Sequence, residues 1–194
     1  MAYGVPKSGG GAGAIPPAPF FFLRHGETDW NRERRLQGNI DVPLNATGLA
    51  QAEAAAKRLV GAGVATIVAS PLARARRTAE IAAEALGLAV EFEADIAECR
   101  LGVREGTPDD GFLERWREGL ESPEGGESFA QFCARTRAGL VRALARPAPV
   151  LVVAHGGVSA SLRVALGRAP TTDIANAVPI RVEPIGGDWR IAAL

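Results

Sequence analysis

The two histidines of the chain, His25 and His155, stand in the same local setting. Each follows an apolar run, FFFL before Arg24-His25 and VLVVA before His155, and each is followed by glycine. A neutral imidazole is a competent nucleophile at phosphorus, and a protonated one stabilises oxygens that carry negative charge. Arg24 and Arg74 can each offer a fork of N–H donors to phosphate oxygens. These side chains favour chemistry on a phosphoryl group, whose transfer depends mainly on positioning and charge neutralisation.

A phosphoryl transfer also needs an acid that protonates the leaving oxygen. Carboxylates cluster in one segment, and spacing alone does not choose among Glu91, Glu93, Asp95, Glu98 and Glu105. Gly156 is expected to open a helix whose N-terminal N–H groups favour an anion. The chain therefore contains every group that the reaction requires, with the identity of the acid left open.

Predicted strands and helices alternate along the chain. Apolar runs predict buried strands at 20–23, 65–69 and 150–154, a weaker strand at 88–93, and a C-terminal hairpin in PIRVEPIGGDWRIAAL. The first predicted helix runs from Thr47 to about residue 60 with Leu49, Ala52, Ala56 and Leu59 on one face, and the second runs from Ser70-Pro71 to Leu86 before Gly87. A short third helix is predicted to start at Thr107-Pro108. A fourth runs from the capping box of Ser128 and Gln131 to about residue 145, and a fifth from Gly156 to Gly167. This alternation predicts an α/β fold, a three-layer α/β/α sandwich with a largely parallel central sheet and a C-terminal hairpin.

Three predicted strands end next to residues that could do chemistry. His25 follows the first strand, Arg74 lies shortly after the second, and His155 follows VLVVA. Because ligands of such sheets bind beyond the carboxyl ends of the strands, we expect these side chains to meet at one site.

The composition narrows the choice of partners. Lysine plus arginine equals aspartate plus glutamate at 22 each, so a basic surface for nucleic acid is not indicated. No apolar run approaches the ~20 residues that span a bilayer, so no membrane partner is expected. Cys99 and Cys133 are far apart and fit neither a zinc motif nor a disulfide framework.

The N-terminal segment 1–19 is rich in Gly, Ala and Pro and is predicted to be a flexible extension, with a single domain over 20–194. It has one lysine and no apolar h-region, so it is a poor signal peptide and a cytoplasmic location is expected. The terminal hairpin could present an edge for pairing, which leaves a homo-oligomer open.

Six segments resemble the motifs of the histidine phosphatase superfamily, the phosphoglycerate mutase-like proteins. They are LRHGETDWN, QGNIDVPLNATGLAQA, SPLARARRTAEI, ECRLGVREG, GGES and VVAHGGV. Each pattern alone is weak, but six in the family's order are specific for the family, and the phosphatase branch is expected.

The resemblance implies a role for each matching residue. His25 is expected to be the nucleophile that forms a phosphohistidine, with Glu98 as the general acid and then the base on water. Arg24, Arg74 and His155 are expected to hold the phosphate, assisted by Asn31 and the Gly156 backbone, while Gln37 and Gly38 lie at the pocket rim. No metal is required in this family, and no cofactor is expected for this chain. The sequence departs from the family pattern at Leu101, usually aromatic, at Arg104, usually tryptophan, and at Arg77, usually glutamine.

The expected activity is hydrolysis of a small-molecule phosphate ester. Two rivals stay open: a phosphoglycerate mutase, which shares the catalytic residues, and a non-catalytic phosphate-binding protein on the same fold. The short chain between Glu98 and His155 favours the phosphatase over the mutase. Segment 100–130 is expected to form the specificity wall, and Arg32, Arg34 and Arg35 are expected to be solvated.

Overall fold

A six-stranded sheet with strand order β3-β2-β4-β1-β5-β6 forms the centre of the computed structural model, which describes residues 13–170 and 174–194. Its strands are β1 (Phe20–Arg24), β2 (Thr66–Ala69), β3 (Val90–Phe92), β4 (Val150–Ala154), β5 (Ile180–Ile185) and β6 (Asp188–Ala193). Strands β1 to β4 pair with one another in parallel. Strand β5 pairs antiparallel with β1 and forms the C-terminal hairpin with β6. The predicted parallel sheet and hairpin are therefore confirmed.

The helices cover both faces of this sheet. They are α1 (Asp29–Arg32), α2 (Ala46–Leu59), α3 (Ala73–Leu86), α4 (Phe112–Arg117), α5 (Phe129–Leu144) and α6 (Gly156–Ala165), with short 3-10 turns at Ala94–Ile96 and Gly102–Arg104. Successive side chains of a strand point to opposite faces. Phe20 and Phe22 accordingly pack in one cluster with α4, α5 and α6, while Phe21 and Leu23 pack in another with α2 and α3. Two helical layers thus enclose the sheet, which confirms the three-layer sandwich.

Several predicted helix ends hold. Ser128 and Gln131 form the capping box of α5, and Gly87, in the left-handed region at φ 67°, ends α3. Gly186 and Gly187 both have positive φ, as the two-residue turn of the hairpin requires.

Other predicted boundaries were wrong. Asn45, not Thr47, caps α2, because its side-chain oxygen accepts a hydrogen bond from the Gly48 N–H; Leu49 is exposed rather than on the packed face. The short helix begins at Phe112 instead of Thr107-Pro108. The Thr107 carbonyl accepts a hydrogen bond from the Leu36 N–H and Pro108 forms a β-bridge with Arg35, so this stretch is held extended.

The predicted extension falls partly outside the described residues, since residues 1–12 are not among them. Ile15 is buried in the same cluster as Phe20, so the packed part of the chain begins before residue 20. No helix within the described ranges combines the length and apolar character needed to cross a bilayer.

Candidate active site

A cavity of about 140 Å³ opens at the carboxyl edge of the parallel strands. Its lining includes eight residues predicted from the sequence: Arg24, His25, Asn31, Gln37, Gly38, Arg74, Glu98 and Gly156. His155, fully buried, lies directly behind, with its ring centroid 5.2 Å from that of His25. The topology therefore brings together residues that are far apart in the sequence, as the strand-end rule predicts.

The end of β1 fixes His25 in one tautomer. Its backbone N–H extends the pairing of β1 with β4 by donating to the Ala154 carbonyl at 3.0 Å. Its Nδ1 lies 2.7 Å from the Gly26 carbonyl oxygen, and because that oxygen only accepts, Nδ1 must carry the proton. The lone pair of the neutral ring is then on Nε2. Burial, followed by the positive charges of Arg74 and Arg24, lowers the pKa of His25 well below its usual value, so the ring is neutral at physiological pH.

Glycine is required beside this histidine. A Cβ on Gly26 would lie 2.3 Å from the Gly48 carbonyl oxygen, because the first turn of α2 packs directly on the Gly26 backbone. The Gly26 N–H donates to Thr78 Oγ1 at 3.1 Å, which ties the same backbone to α3.

His155 occupies the equivalent position after β4. Its Nε2 lies 2.7 Å from Ser70 Oγ, while its buried Nδ1 has no hydrogen-bond partner among the described residues. Burial, followed by the positive charges of Arg74 and Arg24, lowers the pKa of His155 well below its usual value. The unliganded protein thus favours a neutral His155, chiefly because the ring is buried and also because Arg74 and Arg24 carry positive charge nearby. A bound dianion would oppose those charges and favour protonation.

Arg74 lies in the first turn of α3 and is 1% exposed. Its two terminal nitrogens donate to the Gly38 carbonyl at 2.8 Å and the Ile40 carbonyl at 2.9 Å. The neighbouring Arg77 is half exposed and pairs with Glu80 and Glu84, outside the lining of the cavity.

Arg24 and Asn31 are held by the segment before β5. Arg24 Nη1 donates to the Ile174 carbonyl at 2.9 Å. Asn176 Nδ2 donates to the His25 carbonyl at 2.9 Å and lies 3.4 Å from Asn31 Oδ1. Asn31 also forms the capping box of α1 with Thr28, so it serves as a helix cap while lining the cavity.

Glu98 is the only one of the five candidate carboxylates that lines the cavity. Its Oε2 accepts from the Gly157 N–H and its Oε1 from the Cys99 N–H, both at 3.0 Å. The others have partners elsewhere: Glu91 pairs with Arg146, Glu93 and Asp95 pair with Arg142, and Glu105 accepts from the backbone of Asn39 and Leu101. Of these five side chains, the tertiary structure thus brings only Glu98 to the cavity.

Several residues of the site are not predicted from the sequence. Ser70, Asn176 and Gly157 contact His155, His25 and Glu98 through hydrogen bonds that no sequence pattern signalled, except that Gly157 repeats the glycine after His155. Arg35 was expected to be solvated, yet it lines the cavity, because Nε donates to the Gly106 carbonyl and the guanidinium lies 4.3 Å from the Trp30 ring centroid.

Only part of the predicted specificity wall, segment 100–130, lines the cavity. Leu101, Leu113, Trp116 and Arg117 line it. Arg104 instead lies over the Phe112 ring at 4.7 Å and pairs with Asp110 at 2.6 Å. Cys99 is buried, and burial raises the pKa of its thiol well above the usual value, which agrees with a packing role. Across the described ranges, no three or more His, Cys, Asp or Glu side chains come together as potential metal ligands.

A family model described as "Histidine phosphatase superfamily (branch 1)" matches residues 20–194. The chain therefore belongs to the histidine phosphatase superfamily and is an enzyme of that class.

Similar proteins carry two kinds of name. The probable phosphoglycerate mutase GpmB of Yersinia enterocolitica is 39% identical, with 77% of this chain and 75% of the relative covered. The protein of the same name from Klebsiella pneumoniae is 42% identical, with 70% and 68% covered. The mycobacterial glucosyl-3-phosphoglycerate phosphatase, solved in complex with VO3, superimposes with a TM-score of 0.80 at 33% identity, over 91% of this chain and 98% of that one.

Proposed function

We propose that the protein is a metal-independent phosphomonoester phosphatase that works through a phosphohistidine on His25. The observation that carries the proposal is the bond from His25 Nδ1 to the Gly26 carbonyl, which leaves a neutral Nε2 as a nucleophile in a cavity that also holds Arg24 and Arg74. Glu98 lines the same cavity and is proposed as the general acid and base.

In the first proposed step, the Nε2 lone pair of His25 attacks phosphorus and the ester P–O bond breaks. The electron pair of that bond goes to the leaving oxygen, which takes its proton from Glu98 and departs as the alcohol. In the second step, the Glu98 carboxylate takes a proton from water, the water oxygen attacks phosphorus and the P–N bond breaks. Inorganic phosphate leaves, and both His25 and Glu98 return to their starting states.

The phosphoryl oxygens are proposed to contact Arg24, Arg74, Asn31 and the Gly156 N–H, which opens α6. His155 supports this placement, because its buried Nδ1 lacks a partner among the described groups and an oxygen of the ligand would satisfy it. Ser70 can donate to Nε2 of His155, which would keep the proton on Nδ1.

The charge of the cavity favours esters with a second anionic group. Among the residues that the structure describes, four guanidinium groups line it, from Arg24, Arg35, Arg74 and Arg117, against one carboxylate, that of Glu98. Arg24 and Arg74 are assigned to the phosphate, and the positive charges of Arg35 and Arg117 in the same lining would attract another anionic group of the substrate. A carboxylate-bearing phosphate ester fits this arrangement, and the phosphoglycerate and glucosyl-3-phosphoglycerate in the names of the similar proteins are esters of this kind.

A phosphoglycerate mutase is the second candidate, favoured by the names of the relatives. Between Glu98 and His155 the chain supplies only one 3-10 turn, the six-residue α4, α5 and β4. Little chain is therefore available to close over a phosphohistidine and exclude water, which favours hydrolysis.

The deciding experiment measures hydrolysis of p-nitrophenyl phosphate in EDTA by the native chain and by His25→Ala. Turnover in EDTA that disappears in His25→Ala is expected, and release of phosphate from 3-phosphoglycerate extends it to a carboxylate-bearing ester. Conversion of 3-phosphoglycerate to 2-phosphoglycerate that depends on the bisphosphate would establish the mutase instead. Phosphate binding without turnover of any of these esters would contradict the proposed activity on them.

A further inference from the structure

Next to the cavity lies a buried ion pair to which the proposed mechanism gives no role. Glu127 and Arg135 lie 2.5 Å apart, with side chains that are 4% and 17% exposed. Removing two charges from water is costly and adds little stability by itself, so such a pair calls for another explanation. The explanation must come from what the two side chains hold in place.

Arg135, on α5, binds the main chain that carries the proposed acid. Nη1 donates to the Asp95 carbonyl at 2.9 Å and the Ala97 carbonyl at 3.1 Å, and Nη2 donates to the Glu98 carbonyl at 3.2 Å. One planar guanidinium thus gathers three carbonyls of a segment that is otherwise a single 3-10 turn and irregular chain. A lysine ammonium lacks this fork of donors.

Glu127 holds the other side of the same segment. Its Oε1 accepts from the Arg100 N–H at 2.9 Å, and its backbone N–H donates to the Arg100 carbonyl at 2.9 Å. Its own carbonyl accepts from Trp116 Nε1 at 2.9 Å, and Trp116 lines the cavity. The pair therefore joins the segment around Glu98 to the wall of the cavity.

We propose that Glu127 and Arg135 are positioning residues that fix the Glu98 carboxyl over the leaving group, an inference that rests on the proposed function of Glu98. Neither contacts the reacting atoms. Hydrogen bonds hold the backbone on both sides of Glu98. The Gly157 and Cys99 N–H groups then suffice to hold its carboxyl group in one conformation. A looser segment would leave the nucleophile and the phosphate site intact and impair only proton delivery.

The test compares phenyl phosphate with 2,4-dinitrophenyl phosphate, which share a ring but differ in how much the leaving oxygen needs a proton. Arg135→Lys is expected to lower kcat on phenyl phosphate by about 10- to 100-fold and on dinitrophenyl phosphate by less than about threefold, since general acids supply about 10²–10⁴. Glu127→Gln, which retains an acceptor for Arg100, is expected to show the same asymmetry. Arg137→Lys, an exposed position on the same helix, is the matched control.

Hydrogen exchange supplies a readout that does not depend on turnover. In Arg135→Lys the amides of Cys99 and Arg100 are expected to exchange faster than in Arg137→Lys, with α6 unchanged. Equal losses on both esters, or unchanged exchange of these amides, would overturn the inference. A native chain without His25-dependent turnover would overturn the proposed function instead, and a Glu98→Gln variant without the leaving-group asymmetry would overturn the role of Glu98.

Discussion

Gly157→Ala is the substitution for which the structure gives the sharpest expectation. A Cβ at this position would lie 2.3 Å from Glu98 Oε1, whereas ordinary contacts of a Cβ begin at 3.4 Å. The carboxyl must therefore move by about 1 Å, and the bond from the Gly157 N–H to Oε2 must rearrange with it. The backbone of α6 has little reason to yield, because alanine is a better helix former than glycine.

A displacement of about 1 Å at a catalytic group costs roughly 100-fold in rate, or about 2.7 kcal/mol of transition-state stabilisation. We expect kcat on phenyl phosphate to fall by about that factor, and kcat on dinitrophenyl phosphate to fall much less, because its leaving group needs little protonation. Steady-state kinetics on both esters, with thermal unfolding as a check of the fold, measure this directly.

The adjacent glycine gives the comparison. A Cβ on Gly156 would meet Arg24 Cζ at 3.5 Å, an ordinary contact that displaces neither Arg24 nor Glu98, so Gly156→Ala should show no leaving-group dependence. A folded Gly157→Ala protein that keeps more than about a third of native kcat on phenyl phosphate would refute the placement of Glu98 as the acid.

Three further outcomes are expected. The folded pKa values of His25 and His155 lie below the unfolded value of 6.5, so the unfolded chain binds more protons below that pH. The free energy of unfolding should therefore fall as pH drops, by up to about 1.4 kcal/mol per pH unit for each ring. Urea unfolding of the native chain and of His155→Gln between pH 7.5 and 5.5 measures this, and an equal dependence of the unfolding free energy on pH in the two proteins would contradict it. Arg117→Gln should raise KM for 3-phosphoglycerate about tenfold, as the loss of one charge-assisted hydrogen bond implies, and leave KM for p-nitrophenyl phosphate within about threefold; a parallel rise in both would remove Arg117 from the second anion site. Ser70→Ala should lower kcat by about tenfold on both aryl esters alike, since it frees the tautomer of His155 rather than the acid, and a leaving-group-dependent loss would contradict that assignment.

The hydrophobic pattern of the sequence was enough to predict the layered architecture of the fold. Runs of consecutive apolar residues, such as VLVVA, occur where a strand is buried on both faces, and this local property survives in any tertiary context that covers both faces. Capping chemistry held where it is strictly local, as in the Ser128 and Gln131 box. It failed at Thr107-Pro108, because pairing with Leu36 and Arg35, far away in the sequence, overrode the helix start.

The sequence by itself determined that His25, Arg24, Arg74 and His155 would meet, because strand ends of a parallel sheet share one edge and both histidines directly follow a strand. Only the tertiary structure decided which carboxylate joins them, since Glu98 is distinguished by the Gly157 N–H, 59 residues away. The hydrogen bonds that hold the site residues in place could likewise not be predicted from the sequence: Ser70 bonds to His155, Asn176 to His25, and Arg135 to the segment around Glu98. Those contacts join residues that are far apart in the sequence and share no periodicity, so no local sequence pattern predicts them. Only the packing of the elements brings them within hydrogen-bond distance.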